Sequence, residues 1–268
     1  MRYLYSIYLI FSFYAGNAQL NTEGSFCIVA SCKDGIIIGA DTRNSITPEN
    51  NNKEILAYFD TVIKIFPLNK FVICTTGDVS IDDKFISYYI YEYRKFYQYK
   101  DELKLQTGDF FQFLITKYPS QLEKFKNAQM IFAGYRNNES WICTGRVNTL
   151  TQNIDISCVG KETYYATDTT CGFDTLYSEK LTCKQLMPLI KKSIIEYAAK
   201  NKKTESIGGQ ITFLKINKNN TVEWLVNDKK LPNINTMEEL KREYKQGRLK
   251  IHFKSKEAKQ EVEKKLLI

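Results

Sequence analysis

The chain has 268 residues, 43% of them hydrophobic and 25% charged, with a formal net charge of +8. That hydrophobic share excludes a disordered chain and suits one large core, so a single domain with appendages is expected. The one histidine, His252, lies in a basic C-terminal tail, which leaves no partner for a Ser-His-Asp triad, and seven cysteines without a CxxC pair offer no metal spacing.

Residues 1–18 read as an export signal: Arg2, a mostly apolar run from Tyr3 to Tyr14, then small residues at Gly16 and Ala18 ahead of a cut. The run is too short for a stable membrane span. The alternative is a hydrophobic strand kept in the fold. Cleavage after Ala18 leaves residues 19–24 as a short propeptide in front of Ser25. If the chain is then cut between Gly24 and Ser25, a hydroxyl and an α-amine share one residue. An α-amine titrates at about 8, close enough to neutrality to take the hydroxyl proton without a histidine.

Residues 26–41 and 62–76 carry β-branched runs broken by Asp-Gly and Thr-Gly, the pattern of buried strands and tight turns. Between them, Thr47-Pro-Glu-Asn-Asn-Asn-Lys predicts an exposed loop. From Ile81 the period becomes helical, with Phe85, Tyr88, Tyr89, Tyr93 and Phe96 on one stripe. Phe110, Phe111, Phe113, Leu114 and Tyr118 repeat it after Thr107-Gly-Asp, where Asp109 is placed to cap. These aromatics read as core stripes. Strands are expected at 128–135, 141–144 and 155–159, a helix from Lys184 to about Lys200, and a closing hairpin of 208–216 with 222–226. Cys27, Cys74 and Cys143 sit in apolar runs as small core residues, and the odd cysteine count leaves at least one thiol unpaired. Over 239–265 lysines alternate with acids, which predicts a solvated, helical extension from 229 to 268. Nucleic-acid binding would need a recognition motif that the tail lacks, so no nucleic-acid partner is expected. The order of strands, two helices, strands, one helix and strands predicts an α+β fold, a four-layer αββα sandwich spanning 25–228.

The local motifs strengthen this. Lys33-Asp-Gly-Ile-Ile-Ile-Gly-Ala-Asp41-Thr-Arg43 resembles the strand-turn-strand of the proteasome β-subunit family of N-terminal-nucleophile hydrolases, which ends in Ala-Asp-x-Arg. Counting back from Asp41 by the family spacing reaches Ser25, where that family carries a threonine. Thr61-Val-Ile-Lys64-Ile is similar to the segment with the family's lysine, Thr75-Thr-Gly77-Asp to its oxyanion turn, and Ser206-Ile-Gly208-Gly209 to its late Ser-Gly-Gly turn. The resemblance covers Ser25 to Val226. It implies Ser25 as nucleophile, its own amine as base, Lys64 as a stabilising charge held by Asp41, the Gly77 N–H as oxyanion donor, and Ser206 as support. It implies no cofactor or metal, and assembly into a homo-oligomeric ring.

The chain departs from the family at several points. Serine replaces threonine, Gly160-Lys-Glu-Thr163 stands where the family has Gly-Ser-Gly-Ser, and Thr204-Glu-Ser-Ile207 stands where it has Asp-x-x-Ser. The interval from Asp41 to Lys64 is longer than usual. Two readings remain. One is an exported, self-processed hydrolase that cuts peptides or small amides, ATP-driven unfolding being scarce outside the cytoplasm. The other is a catalytically silent assembly or binding protein of the same fold.

Overall fold

The computed structural model describes residues 20–48, 54–77, 80–81, 83–125, 128–148, 153–160, 163–226 and 234–267. The expected export signal at 1–18 lies outside them. In chain order, β1 (Leu20–Glu23), β2 (Cys27–Cys32), β3 (Gly35–Asp41), β4 (Arg43–Pro48), β5 (Ala57–Asp60), β6 (Ile65–Leu68) and β7 (Phe71–Gly77) come first. The short β8 (Ser80–Ile81) and β9 (Lys84–Phe85) lead into α1 (Ile86–Phe96) and α2 (Leu103–Lys117). Next come β10 (Ala128–Arg136), β11 (Glu139–Asn148), β12 (Asn153–Gly160), β13 (Tyr164–Ala166), α3 (Cys183–Lys200), β14 (Ile211–Ile216) and β15 (Val222–Val226). The chain ends with α4 (Met237–Lys245), β16 (His252–Phe253) and α5 (Lys256–Leu267).

Two five-stranded sheets, ordered β12-β11-β10-β7-β6 and β13-β2-β3-β14-β15, form the middle layers. The reason lies in the alternation of β3, Gly-Ile-Ile-Ile-Gly-Ala-Asp, which is buried on both faces. Ile36, Ile38 and Ala40 point between the sheets with Val29, Val72, Ile131 and Leu214. Ile37 points outward to Leu186, Ile190 and Ile194 of α3. At Gly39 a Cβ would come within 2.6 Å of the Ile190 Cγ2, so the missing side chain is what lets α3 lie close on the sheet. Over the other sheet, α1 and α2 bury Tyr89, Tyr93, Phe110 and Phe111 against Phe132 and Ile73. The four layers are those expected, and the aromatic stripes are core at Phe85, Tyr89, Tyr93, Phe110, Phe111 and Leu114, whereas Tyr88, Phe113 and Tyr118 are half-buried at the edge and Phe96, at the end of α1, is 59% exposed.

Three features differ from the sequence reading. Helix α2 begins at Leu103 and runs through Thr107, Gly108 and Asp109. Burial of Gln106 and Thr107 extends the helix one turn upstream, and Asp109, far from capping it, accepts from the Tyr93 hydroxyl at 2.8 Å. Thr47 lies within β4 and is fully buried, so the predicted loop can begin only after Pro48, and residues 49–53 lie outside the described residues. Most consequential is a further sheet, β1-β4-β5-β16, absent from the expected topology. Its apolar face (Ile46, Ala57 and Phe59) packs on Met237 and Leu240 of α4 and Val262 and Leu266 of α5. The extension is helical as read from the sequence, but it is no solvated tail. Its charges occupy one side of helices whose other side closes a core.

The cysteines divide into two disulfides, Cys32–Cys183 and Cys143–Cys158, and three buried thiols, Cys27, Cys74 and Cys171. Among the described residues no helix is long and apolar enough to cross a membrane.

Candidate active site

Ser25 stands between two sheets. The strand before it, β1, pairs antiparallel with β4, with Glu23 opposite Ser45. The strand after it, β2, pairs with β3 in the inner sandwich, with Cys27 opposite Ala40. The chain changes sheets at Gly24 and Ser25, and Gly24 takes φ +100°, a conformation open chiefly to glycine. A Cβ there would also overlap the carbonyl oxygen of Ser206. The glycine before the serine is thus demanded twice, by the turn and by the neighbouring chain.

Lys64, just ahead of β6, is buried with Asp41, the last residue of β3, and neither side chain has any exposed area. Its ammonium donates to Asp41 Oδ1 at 2.9 Å, to the Arg43 carbonyl at 2.7 Å and to the Gly24 carbonyl at 3.0 Å. Three N–H groups meet three acceptors, which is how a buried ammonium is retained. Burial pushes Lys64 below the ordinary lysine value, and the Asp41 charge opposes that shift. Asp41 is equally saturated. Oδ1 also accepts from Phe26 N at 2.7 Å, while Oδ2 accepts from Gly208 N at 3.0 Å and Arg43 N at 3.2 Å. One carboxylate thereby ties the residue after Ser25, the lysine and the late glycine turn to one point.

The Ser25 side chain lies in this setting, only 7% exposed, and its Oγ is a buried oxygen without a hydrogen-bond partner among the described residues. The neighbouring carbonyl, that of Gly24, is the one held by the Lys64 ammonium. A buried, unpartnered hydroxyl and a polarised carbonyl flank the same peptide bond.

The remaining expected residues are placed differently. Gly77 closes β7 with φ +85°, on the strand whose Thr75 N–H donates to the Lys64 carbonyl at 3.0 Å. The Gly24 carbonyl accepts from Lys64. The Ser206 hydroxyl donates to the Lys203 carbonyl at 3.2 Å, so it is the main chain of Ser206 that meets Gly24.

Sequence reasoning passed over Arg43, although the Ala-Asp-x-Arg motif contains it. Its guanidinium grips Asp60 through two bonds of 2.6 and 2.7 Å, donates to the Thr204 carbonyl, and lies 4.1 Å over the Tyr58 ring. His252 stacks on the other partner of that pair, Tyr58, with ring centroids 4.8 Å apart. Lys254 pairs with Glu205, and the Ser45 hydroxyl donates to the Glu205 carbonyl at 3.1 Å. The extra sheet and the C-terminal extension therefore brace the 204–208 turn against the site. None of the free thiols competes with Ser25: burial raises the pKa of Cys74 and Cys171, and Cys27 is buried too.

Two helix-covered sheets with a candidate nucleophile at the head of an inner strand define an α+β fold of the N-terminal-nucleophile type. The chain matches the family model for the proteasome subunit over residues 22–213, and it belongs to that family. A solved structure, the Anbu (Gly-1) mutant from Hyphomicrobium sp. strain MC1, shares the fold at 11% identity with a TM-score of 0.53, covering 76% of this chain and 88% of that one. Anbu (ancestral beta-subunit) from Yersinia bercovieri is similar at 12% identity with a TM-score of 0.49, over 76% and 87% of the two chains. No curated protein matches.

Proposed function

We propose that the chain is a self-processing hydrolase with an N-terminal serine, cutting peptide or other amide bonds. The observation that carries this reading is the Lys64 ammonium on the Gly24 carbonyl, 3.0 Å away, beside a buried and unpartnered Ser25 Oγ.

In the first stage Ser25 Oγ adds to the Gly24 carbonyl carbon, and the oxygen that becomes negative is the one already bonded to Lys64. A preorganised donor of this kind is worth about 3 kcal/mol in related sites. The C–N bond breaks, the hydroxyl proton passes to the nitrogen, and an ester joins Gly24 to Ser25. The shift frees the Ser25 α-amine, and water then hydrolyses the ester, restoring the Ser25 hydroxyl and releasing the leading segment with a Gly24 carboxylate. In the second stage that amine takes the Oγ proton as the serine attacks a substrate carbonyl. The proton goes on to the departing amine, and water releases the acyl group. Lys64 supplies positive charge in both stages, lowering the pKa of the amine and steadying the alkoxide. Asp41 keeps the lysine in place. Gly77 N–H joins it as an oxyanion donor once a substrate replaces residues 20–24.

Two disulfides suit an oxidising compartment, which supports export. Like its family, the protein is proposed to assemble with copies of itself.

The test is hydrolysis of a mixed peptide library, followed by mass spectrometry, by the purified protein and by Ser25→Ala. Cleavage by the first alone is expected. Equal turnover by both, or none by either, would overturn the hydrolase and favour the silent assembly protein.

A further inference from the structure

Between α1 and α2 lies an open groove of about 390 Å³, a volume within the range of small-molecule sites. Helical spacing builds it. Tyr93, Phe96 and the C-cap residue Tyr97 share one side of α1, and Asp109, Phe113 and Lys117 share one side of α2. Four of these six are aromatic. Tyr93 is buried at the base, and the Tyr97 and Phe113 ring centroids each lie 5.4 Å from its own.

The other two carry opposite charges. Asp109, half-buried, accepts from the Tyr93 hydroxyl at 2.8 Å through Oδ2. Its Oδ1 lines the groove with no hydrogen-bond partner, and no cation pairs with the carboxylate among the described residues. In a chain with 38 basic residues against 30 acidic ones, basic partners were plentiful, so this charge is left for something else. Lys117 stands eight residues further along α2, about 12 Å up the helix axis, with its ammonium 4.3 Å over the Phe96 ring. A ring face of the groove thus already holds one cation, and the Asp109 end is clear of it.

We infer that the groove binds a small organic cation with a quaternary ammonium head, lodged against Tyr97 and Phe113 beside the Asp109 carboxylate. Aromatic faces attract a cation within about 6 Å, and a nearby carboxylate adds to that attraction. A methylated head has no N–H group to satisfy and lays its methyls on the rings. A primary ammonium would exchange its water shell for a single anionic acceptor. An anion is repelled by Asp109, and a neutral ligand forfeits the charge. The site is independent of the hydrolase reading, because α1 and α2 cover the sheet that does not carry Ser25.

The experiment titrates the purified protein by calorimetry with choline, with its neutral carbon analogue, in which a tert-butyl group replaces trimethylammonium, and with ethanolamine, which keeps the charge without the methyls. Choline is expected to bind at least about tenfold more tightly than either. Asp109→Asn keeps an acceptor for the Tyr93 hydroxyl and removes the charge, and it is expected to weaken choline binding at least about tenfold with the unliganded melting temperature little changed. Should that variant fail to fold, Tyr97→Leu keeps an apolar side chain, removes a ring and is expected to weaken binding as well. No binding of choline, equal binding of the three compounds, or an affinity that neither substitution moves overturns the inference. Binding to phosphatidylcholine vesicles but not to free choline overturns it too, and makes the groove a lipid contact. If choline fails to bind and Phe96→Ala changes the oligomeric state, the groove is a contact between copies of the chain and the inference falls.

Discussion

Asp41 accepts four hydrogen bonds, from Phe26, Lys64, Arg43 and Gly208, and the site stands or falls with it. Asp41→Asn keeps the shape but leaves the Lys64 charge buried without its counter-ion, a change that typically costs about 3–5 kcal/mol. A loss of that size in urea unfolding, together with a loss of processing at Gly24, is expected; an exposed, weakly coupled pair would lose under about 1 kcal/mol. On the proposed hydrolase mechanism the two charges also set the pH response of peptide cleavage. The Ser25 amine must be neutral to accept a proton, so activity rises with pH through a value at or below about 8, since the neighbouring ammonium lowers it. Lys64 must be charged, and burial lowers its pKa. Activity is therefore lost on the alkaline side before the ordinary lysine value of about 10.4 is reached. A bell-shaped kcat/KM profile between these limits is predicted, and a flat one from about pH 6 to 11 would exclude this division of labour. Ser25, Asp41 and Lys64 were legible in sequence because their motifs are local. The part of Arg43 was not: its motif contains it, but its grip on Asp60 and on the Thr204 carbonyl depends on segments far apart in the chain meeting. Ser206 was legible as a position but not as a role, because whether its hydroxyl or its backbone faces Gly24 depends on a turn conformation.

At the level of elements, periodicity exposed α1, α2 and α3 and the inner strands, whose apolar faces repeat at short range. The outer sheet was hidden for a physical reason. Three of its strands, residues 20–23, 43–48 and 57–60, lie within the first 60 residues and the fourth, 252–253, near the far end, and three of the four are no longer than four residues. The charge pattern of 239–265 further disguised α4 and α5 as solvated, although their apolar residues Leu240, Val262 and Leu266 are wholly buried. Substituting Leu240 by alanine should destabilise the protein by about 2–5 kcal/mol, as expected for a filled core position. Lys254→Ala breaks only a half-exposed pair with Glu205 and should cost under about 1 kcal/mol. Equal, small effects of the two in urea unfolding would return the extension to the status of a tail.

The whole molecule is one αββα sandwich to which a smaller sheet and its two helices have been added beside the site. The sandwich was readable because its layer order follows the chain order of strands and helices. The cross-links were not readable, since seven cysteines permit many pairings. The Cys32–Cys183 bridge joins β2 to the start of α3 across 151 residues, and Cys143–Cys158 joins β11 to β12 across 15. Loops of these lengths correspond to about 5 and 3 kcal/mol of chain entropy. The denatured, unreduced protein should expose three thiols rather than seven, and reduction should lower its melting temperature; seven thiols and an unchanged melting temperature would contradict the bridges. The proposed chemistry turns on a single peptide bond, and the most direct measurement is the intact mass and N-terminal sequence of the purified protein beside Ser25→Ala. A wild-type chain that begins at Ser25, and a variant in which residues 24 and 25 remain joined, are predicted. A wild-type chain with the Gly24–Ser25 bond intact would contradict the self-processing hydrolase.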